Sequence, residues 1–159
     1  MVVNPGMIVG VIADTHGLLR PEAVAALRGS DLIVHAGDVG RPEILEELAQ
    51  IAPVVAVRGN VDHGPWAQKL HMTEVVEAGP YTLYVLHDLE SLAIDPAAAG
   101  FDAVISGHSH RPALEKRSGV LYMNPGSAGP RRFSLPISLG RLIATDEGLR
   151  GELVTLESR

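Results

Sequence analysis

Seven side chains able to bind a metal ion stand at the ends of apolar runs: Asp14, His16, Asp38, Asn60, His87, His108 and His110. Most lie in four short segments, Asp14-Thr15-His16, Gly37-Asp38, Gly59-Asn60-Val61-Asp62 and Gly107-His108-Ser109-His110, while His87 closes a further apolar run. Each segment alone is a weak signal. Their shared placement is the informative point, because strand ends on one edge of a sheet converge in space. The donors are oxygen and nitrogen without sulfur, a set that suits Mn²⁺, Fe, Co, Ni or Zn²⁺. One ion takes about four to six ligands, so this set exceeds one ion's share. Two ions sharing a carboxylate would use it fully, and Asp38 suits the bridge because its two oxygens can face two metals. A pair of ions about 3.5–4 Å apart can hold a hydroxide between them and bind a phosphate across the pair. The implied chemistry is hydrolysis of a phosphate ester by in-line attack.

The elements that must position these residues are read from periodicity. Met7–Ala13, Leu32–Ala36 and Val54–Val57 are compact apolar runs and are predicted to be buried strands. Pro21–Leu27 and Pro42–Gln50 are predicted helices, each opened by proline. This β-α-β-α-β order implies right-handed crossovers and a parallel sheet. Met72–Glu77 and Tyr81–Leu86 flank Gly79-Pro80 as a hairpin, and Leu89–Ala99 is expected to be a short helix interrupted near Asp95-Pro96. Ala103–Ser106 is a further strand. Ala113–Lys116 with Val120–Met123, and Ile137–Thr145 with Leu149–Leu156, read as two antiparallel pairs. Two mixed sheets packed face to face with helices outside would bury these runs. In Asp14-x-His16 and His108-x-His110, extended backbone would point both side chains to one side. Glycines 17, 37, 59 and 107 stand where the chain must turn or approach a ligand closely.

Composition narrows the classes. The 159 residues make one domain, 1–159, and a 46% hydrophobic content is enough for a core. With no cysteine, thiolate metal sites, disulfides and a cysteine nucleophile are excluded. A cysteine-free chain is compatible with the cytoplasm, the expected location. The net charge of −6 argues against a nucleic-acid polymer as partner but not against a small phosphate ester held by metals. No run approaches a membrane span, and the N-terminus, interrupted by Asn4 and Pro5, lacks the basic start of a signal peptide.

In their order and form, the DTH, GD, GN, lone H and GHSH segments resemble the calcineurin-like metallophosphoesterases. The GNVD form of the third segment, with Asn124-Pro125-Gly126-Ser127 and then Pro130-Arg131, looks like the small bacterial and archaeal phosphodiesterase branch. The resemblance runs from about Ile8 to about Arg131 and implies a four-layer α/β/β/α sandwich. It implies that Asp14, His16, Asp38 and His110 hold one ion and Asp38, Asn60, His87 and His108 the other. Mn²⁺ is the implied activating ion, and Asp38, Asn60 and His108 are the ligands expected to matter most for catalysis. A small phosphate ester is the implied substrate, and association into a homo-oligomer is an expectation of the resemblance alone. A eukaryotic sorting-complex subunit that resembles the same family serves mainly in protein interaction. A scaffold on this fold is therefore the second reading, and retention of every ligand favours catalysis.

Two departures stand out. Many relatives carry His directly after the motif asparagine; Val61 stands here and cannot donate a proton. The usual glycine after the fourth-motif histidine is Asp88, which could orient a ligand or crowd the substrate mouth. His63 is a candidate replacement donor. Asp62 either hydrogen-bonds a ligand histidine, the favoured reading, or stabilises its own loop. His35 is expected to be a buried hydrogen-bonded support, and His71 structural or exposed. Arg58 either pairs with carboxylates at the site or lies outside it. Arg131 and Arg132 either attract the substrate or are simply solvated. Asn124 to Ser127 is either a loop beside the site or plain turn chemistry.

Overall fold

A computed structural model of the chain describes residues 6–156; Asn4 and Pro5 lie outside them. The first half alternates strand and helix: β1 Met7–Ile12, α1 Pro21–Leu27, β2 Leu32–His35, α2 Pro42–Ala49, β3 Val54–Ala56 and the single turn α3 Pro65–Gln68. The second half is strand-rich: β4 Thr73–Ala78, β5 Tyr81–Leu86, β6 Ala103–Ile105, β7 Ala113–Arg117, β8 Val120–Asn124, β9 Ser138–Thr145 and β10 Gly148–Thr155.

Two mixed five-stranded sheets result, ordered β10-β9-β1-β2-β3 and β4-β5-β6-β8-β7. β1, β2 and β3 run parallel, as do β5, β6 and β8. The long β9–β10 hairpin closes antiparallel onto β1. Val9, Val11 and Val34 of the first sheet share one core with Leu83, Val85 and Ile105 of the second. Small β-branched side chains fill this layer because the sequence supplies few aromatics. On the outer face of the first sheet, α1 contributes Ala23 and Leu27, and α2 contributes Ile44 and Leu48, spaced four apart so that they share one face. The outer face of the second sheet is covered more thinly, with Leu89 and Leu92 packed on Leu86, Val104 and Val120.

The expected helix over Leu89–Ala99 is not formed. Only a 3₁₀ turn, Leu89–Ser91, is present. Pro96 disfavours helical backbone at Asp95 and removes one N–H from any ladder. Asp95 instead accepts from the Ala98 N–H at 3.3 Å and closes a local turn. α3 was not expected from periodicity, because one turn is too short to show a period.

The parallel strands all end on one edge. The loops after β1, β2 and β3 carry Asp14 and His16, Asp38, and Asn60. The loops after β5 and β6 carry His87, His108 and His110.

Candidate metal centre

Two clusters form where these loops meet: Asp14, His16 and His110, and Asp38, His87 and His108, with the ligand atoms of each lying within 4.8 Å of one another. They touch through Asp38, whose Oδ2 lies 3.5 Å from His16 Nε2 and 3.2 Å from His87 Nε2. In the first cluster His110 Nε2 is 3.7 Å from Asp14 Oδ1 and 3.3 Å from His16 Nε2. Asn60 shares a cleft with Arg58, His87 and Asp88 on the second cluster's side.

The loop geometry differs from the extended alternation expected for the paired residues. Asp14, His16, Asp38, His108 and His110 all have positive φ, from +47° to +72°. Backbone in this region turns sharply, so His108 and His110 enter different clusters instead of sharing a side. Asp and His tolerate it better than most residues, and such outliers collect at functional sites. Gly59 and Gly37 make the crowding feasible. A Cβ on Gly59 would lie 2.2 Å from the Asp38 backbone nitrogen, and one on Gly37 would lie 2.6 Å from His87 Nδ1.

Fixed hydrogen bonds aim the ligand atoms. His87 Nδ1 donates to the Ala36 carbonyl at 2.7 Å, which leaves the Nε2 lone pair facing the cluster. Asp14 Oδ2 accepts the His108 N–H at 3.1 Å, and Asp38 Oδ1 accepts the Val61 N–H at 3.0 Å. Asp14 Oδ1 and His87 Nε2, buried and 4.0 Å apart, have no hydrogen-bond partner. Polar atoms are rarely buried in this state without a reason. A cation is the partner that both a carboxylate oxygen and an imidazole lone pair accept, so the residues present fit a metal.

Charge favours that fit at Asp38, His16 and His110 and opposes it at Asp14 and His87, which must lose a proton to an ion. Burial pushes the Asp14 carboxyl up to about 7, and Asp38 adds to this while His87 opposes it. Burial would also raise Asp38, but His87, the Val61 N–H and His16 hold it down at about 2. Burial lowers His16, and it lowers His110 to about 4 with help from Arg132, which keeps both imidazoles neutral as ligands must be. Burial works against charge on His87, yet Asp38 and the Ala36 carbonyl outweigh it and raise the group.

Supporting residues fall into place around this centre. His35 is fully buried, as expected, accepting the Gly37 N–H on Nδ1 and donating from Nε2 to Thr15 Oγ1 at 2.9 Å. Thr15, whose type and spacing alone give no sign of a role at the site, donates onward to the Val39 carbonyl. Asp62 does not orient a histidine. It braces the loops by accepting the N–H groups of Gly59 at 2.8 Å, Gly40 at 2.9 Å and Val39 at 3.3 Å. Asn124 donates to the Gly107 carbonyl and Ser109 Oγ, and Ser127 donates to the Asp14 carbonyl, so this loop ties the β6 and β1 loops together. Asp88 caps its 3₁₀ turn through the Glu90 N–H and stands 3.9 Å from His108. Arg58 has a buried Nε without a partner. His63 is exposed and lines neither cavity beside the clusters, and His71 pairs with Glu74 at the surface.

Residues 7–147 match the model of the calcineurin-like phosphoesterase superfamily domain. The chain belongs to that superfamily. It is 34% identical to a "probable metallophosphoesterase" of Methanocaldococcus jannaschii, over 95% of this chain and 82% of that one. It is 29% identical to the phosphodiesterase YfcE of Escherichia coli K12, over 82% and 84% of the two chains. Among solved structures, Vps29 of Entamoeba histolytica complexed with zinc superposes with a TM-score of 0.69 at 25% identity, covering 95% of this chain and all of that one. The metallophosphoesterase sandwich is thus the fold of this chain. No helix among the described residues is long and apolar enough to cross a membrane.

Proposed function

We propose that this phosphoesterase is a metal-dependent phosphodiesterase. Asp14, His16, Asp38 and His110 would hold one divalent ion, and Asp38, Asn60, His87 and His108 the other. The observation that carries the reading is the pair of clusters flanking Asp38, with Asp14 Oδ1 and His87 Nε2 left unpartnered between them. The phosphodiesterase name of the Escherichia coli relative supports the substrate class.

Bound ions would lower the pKa of a water and neutralise charge on the phosphoryl oxygens. The protein's part is to hold the donors still: Ala36 fixes the His87 ring, the His108 N–H fixes Asp14, and the Val61 N–H fixes Asp38. In the reaction the oxygen of water bonds to phosphorus, one P–O ester bond breaks, and the departing alcohol takes a proton. Val61 has no proton to give, so esters of acidic alcohols are the better substrates. Mn²⁺ is the proposed ion, the cytoplasm the proposed location, and a small ester rather than a nucleic-acid polymer the proposed substrate.

Metal analysis joined to Mn²⁺-dependent assays of a monoester, a simple diester and cyclic nucleotides tests this. The wild type is expected to carry two ions and prefer the diester. Asp38→Asn and His108→Ala are expected to lose metal and hydrolysis together, by at least ~100-fold in rate. Full activity in folded, metal-poor variants would sink the proposal. A protein-interaction scaffold on the same fold would instead show folded, metal-loaded protein with no turnover of any ester.

A further inference from the structure

An open cavity of about 670 Å³ lies beside the second cluster, lined among others by His108, Asp88, Tyr122, Arg132, Phe133 and Leu135. This size is within the range of small-molecule sites. Phe133 is the most exposed large hydrophobic residue among the described ones, at 87%, and it holds a positive φ of +55°. A bulky aromatic residue there is uncommon. The side chain is displayed at the cavity and withheld from the core. Its neighbour Arg132 is close enough for its charge to act on Asp14, His16 and His110. The Glu115–Arg117 ion pair, with Arg117 4.6 Å above the Tyr122 ring, also lines the cavity.

We infer that this cavity is the subsite for one ester arm of the substrate, that the arm carries a flat aromatic ring received by Phe133, and that Arg132 attracts the phosphate beside it. The inference rests on the phosphodiesterase reading and adds its substrate class. Ring-on-ring contact supplies preference for an aromatic arm over an alkyl one, and a guanidinium supplies attraction for any phosphate whatever its arm.

Phosphonates test it, since their C–P bond resists hydrolysis. Inhibition of Mn²⁺-dependent diester hydrolysis by benzylphosphonate and by methylphosphonate is compared in wild type, Phe133→Ala and Arg132→Gln. Wild type is expected to bind the benzyl compound about tenfold more tightly, the size of one aromatic contact. Phe133→Ala should bring that ratio close to one and leave the methyl compound unchanged. Arg132→Gln should weaken both compounds equally. An adenosine phosphonate bound more tightly than benzylphosphonate would assign the ring to a nucleobase, and the reverse order to a simple aryl group. An unchanged benzyl-to-methyl ratio in Phe133→Ala, read at whatever turnover the variant retains, overturns the subsite, as does a ratio near one in wild type. Absence of hydrolysis in wild type overturns the underlying reading instead.

Discussion

Asp14 shows how burial prepares a candidate ligand. Its carboxylate is fully buried, and in the metal-free protein its pKa stands near 7, so it holds a proton at mildly acidic pH. An ion must displace that proton to bind. Asp14 and His87, both raised, are therefore expected to make metal binding release more protons near pH 6 than near pH 8, and affinity should fall as pH drops through 7. Calorimetry in buffers of different ionisation enthalpy measures this; equal release at both pH values would refute it. His35 gives a second residue-scale test. Burial lowers its pKa from 6.5 to about 3, so the folded state cannot take the proton that the unfolded chain accepts. The stability this contributes is complete above pH 6.5 and is lost as pH falls toward 3, by roughly 1.4 kcal/mol per unit. His35→Gln removes the titration, so its urea midpoint should fall less steeply across that window than the wild type's. The chemical types of these residues were legible in the sequence. Their left-handed backbone was not, because φ is set by the loops packed around them.

At the scale of elements, β1 to β3 with α1 and α2 follow the apolar periods closely. The segment after Asp88 does not, because local capping by Asp95 and the bar at Pro96 defeat its helical composition. The loops behave as one unit through Asp62, which is buried and accepts three backbone N–H groups from two loops. Asp62→Ala strands those donors and is expected to cost about 2–4 kcal/mol in chemical denaturation. Metal content should fall with it, because Asp38 and Asn60 lie on the loops it braces. Asp62→Asn keeps one acceptor oxygen and should recover part of both losses. An alanine variant with wild-type stability and full metal content would show the brace to be idle. From the sequence alone, Asp62 reads as a residue that orients a histidine. Carboxylate partners depend on which backbone N–H groups face inward, and that is decided between loops.

For the whole molecule, the centre is a junction between the two sheets. Asp14, His16 and Asp38 follow strands of the first sheet; His87, His108 and His110 follow strands of the second. Ions bound there would fasten the sandwich at one edge, so ligand linkage adds to folding stability. At a metal concentration a hundredfold above Kd the gain is about 2.7 kcal/mol. Thermal unfolding with added Mn²⁺ and with excess chelator should differ by several degrees, with a smaller difference in His108→Ala. Identical melting curves would show that the ions do not bridge the sheets.

By itself, the sequence determined which donors this protein owns, that they stand at strand ends, and that a cysteine-free set of seven suits two hard or borderline ions. It determined the parallel first half as well, since apolar period and proline-opened helices are local properties. Tertiary structure alone decided the left-handed backbone that parts His108 from His110, that Asp62 braces loops, and that Phe133 stands open beside His108. These features depend on loops from two sheets meeting at one edge. Local sequence has no means of expressing that meeting, because each loop takes its shape from the groups the others place against it.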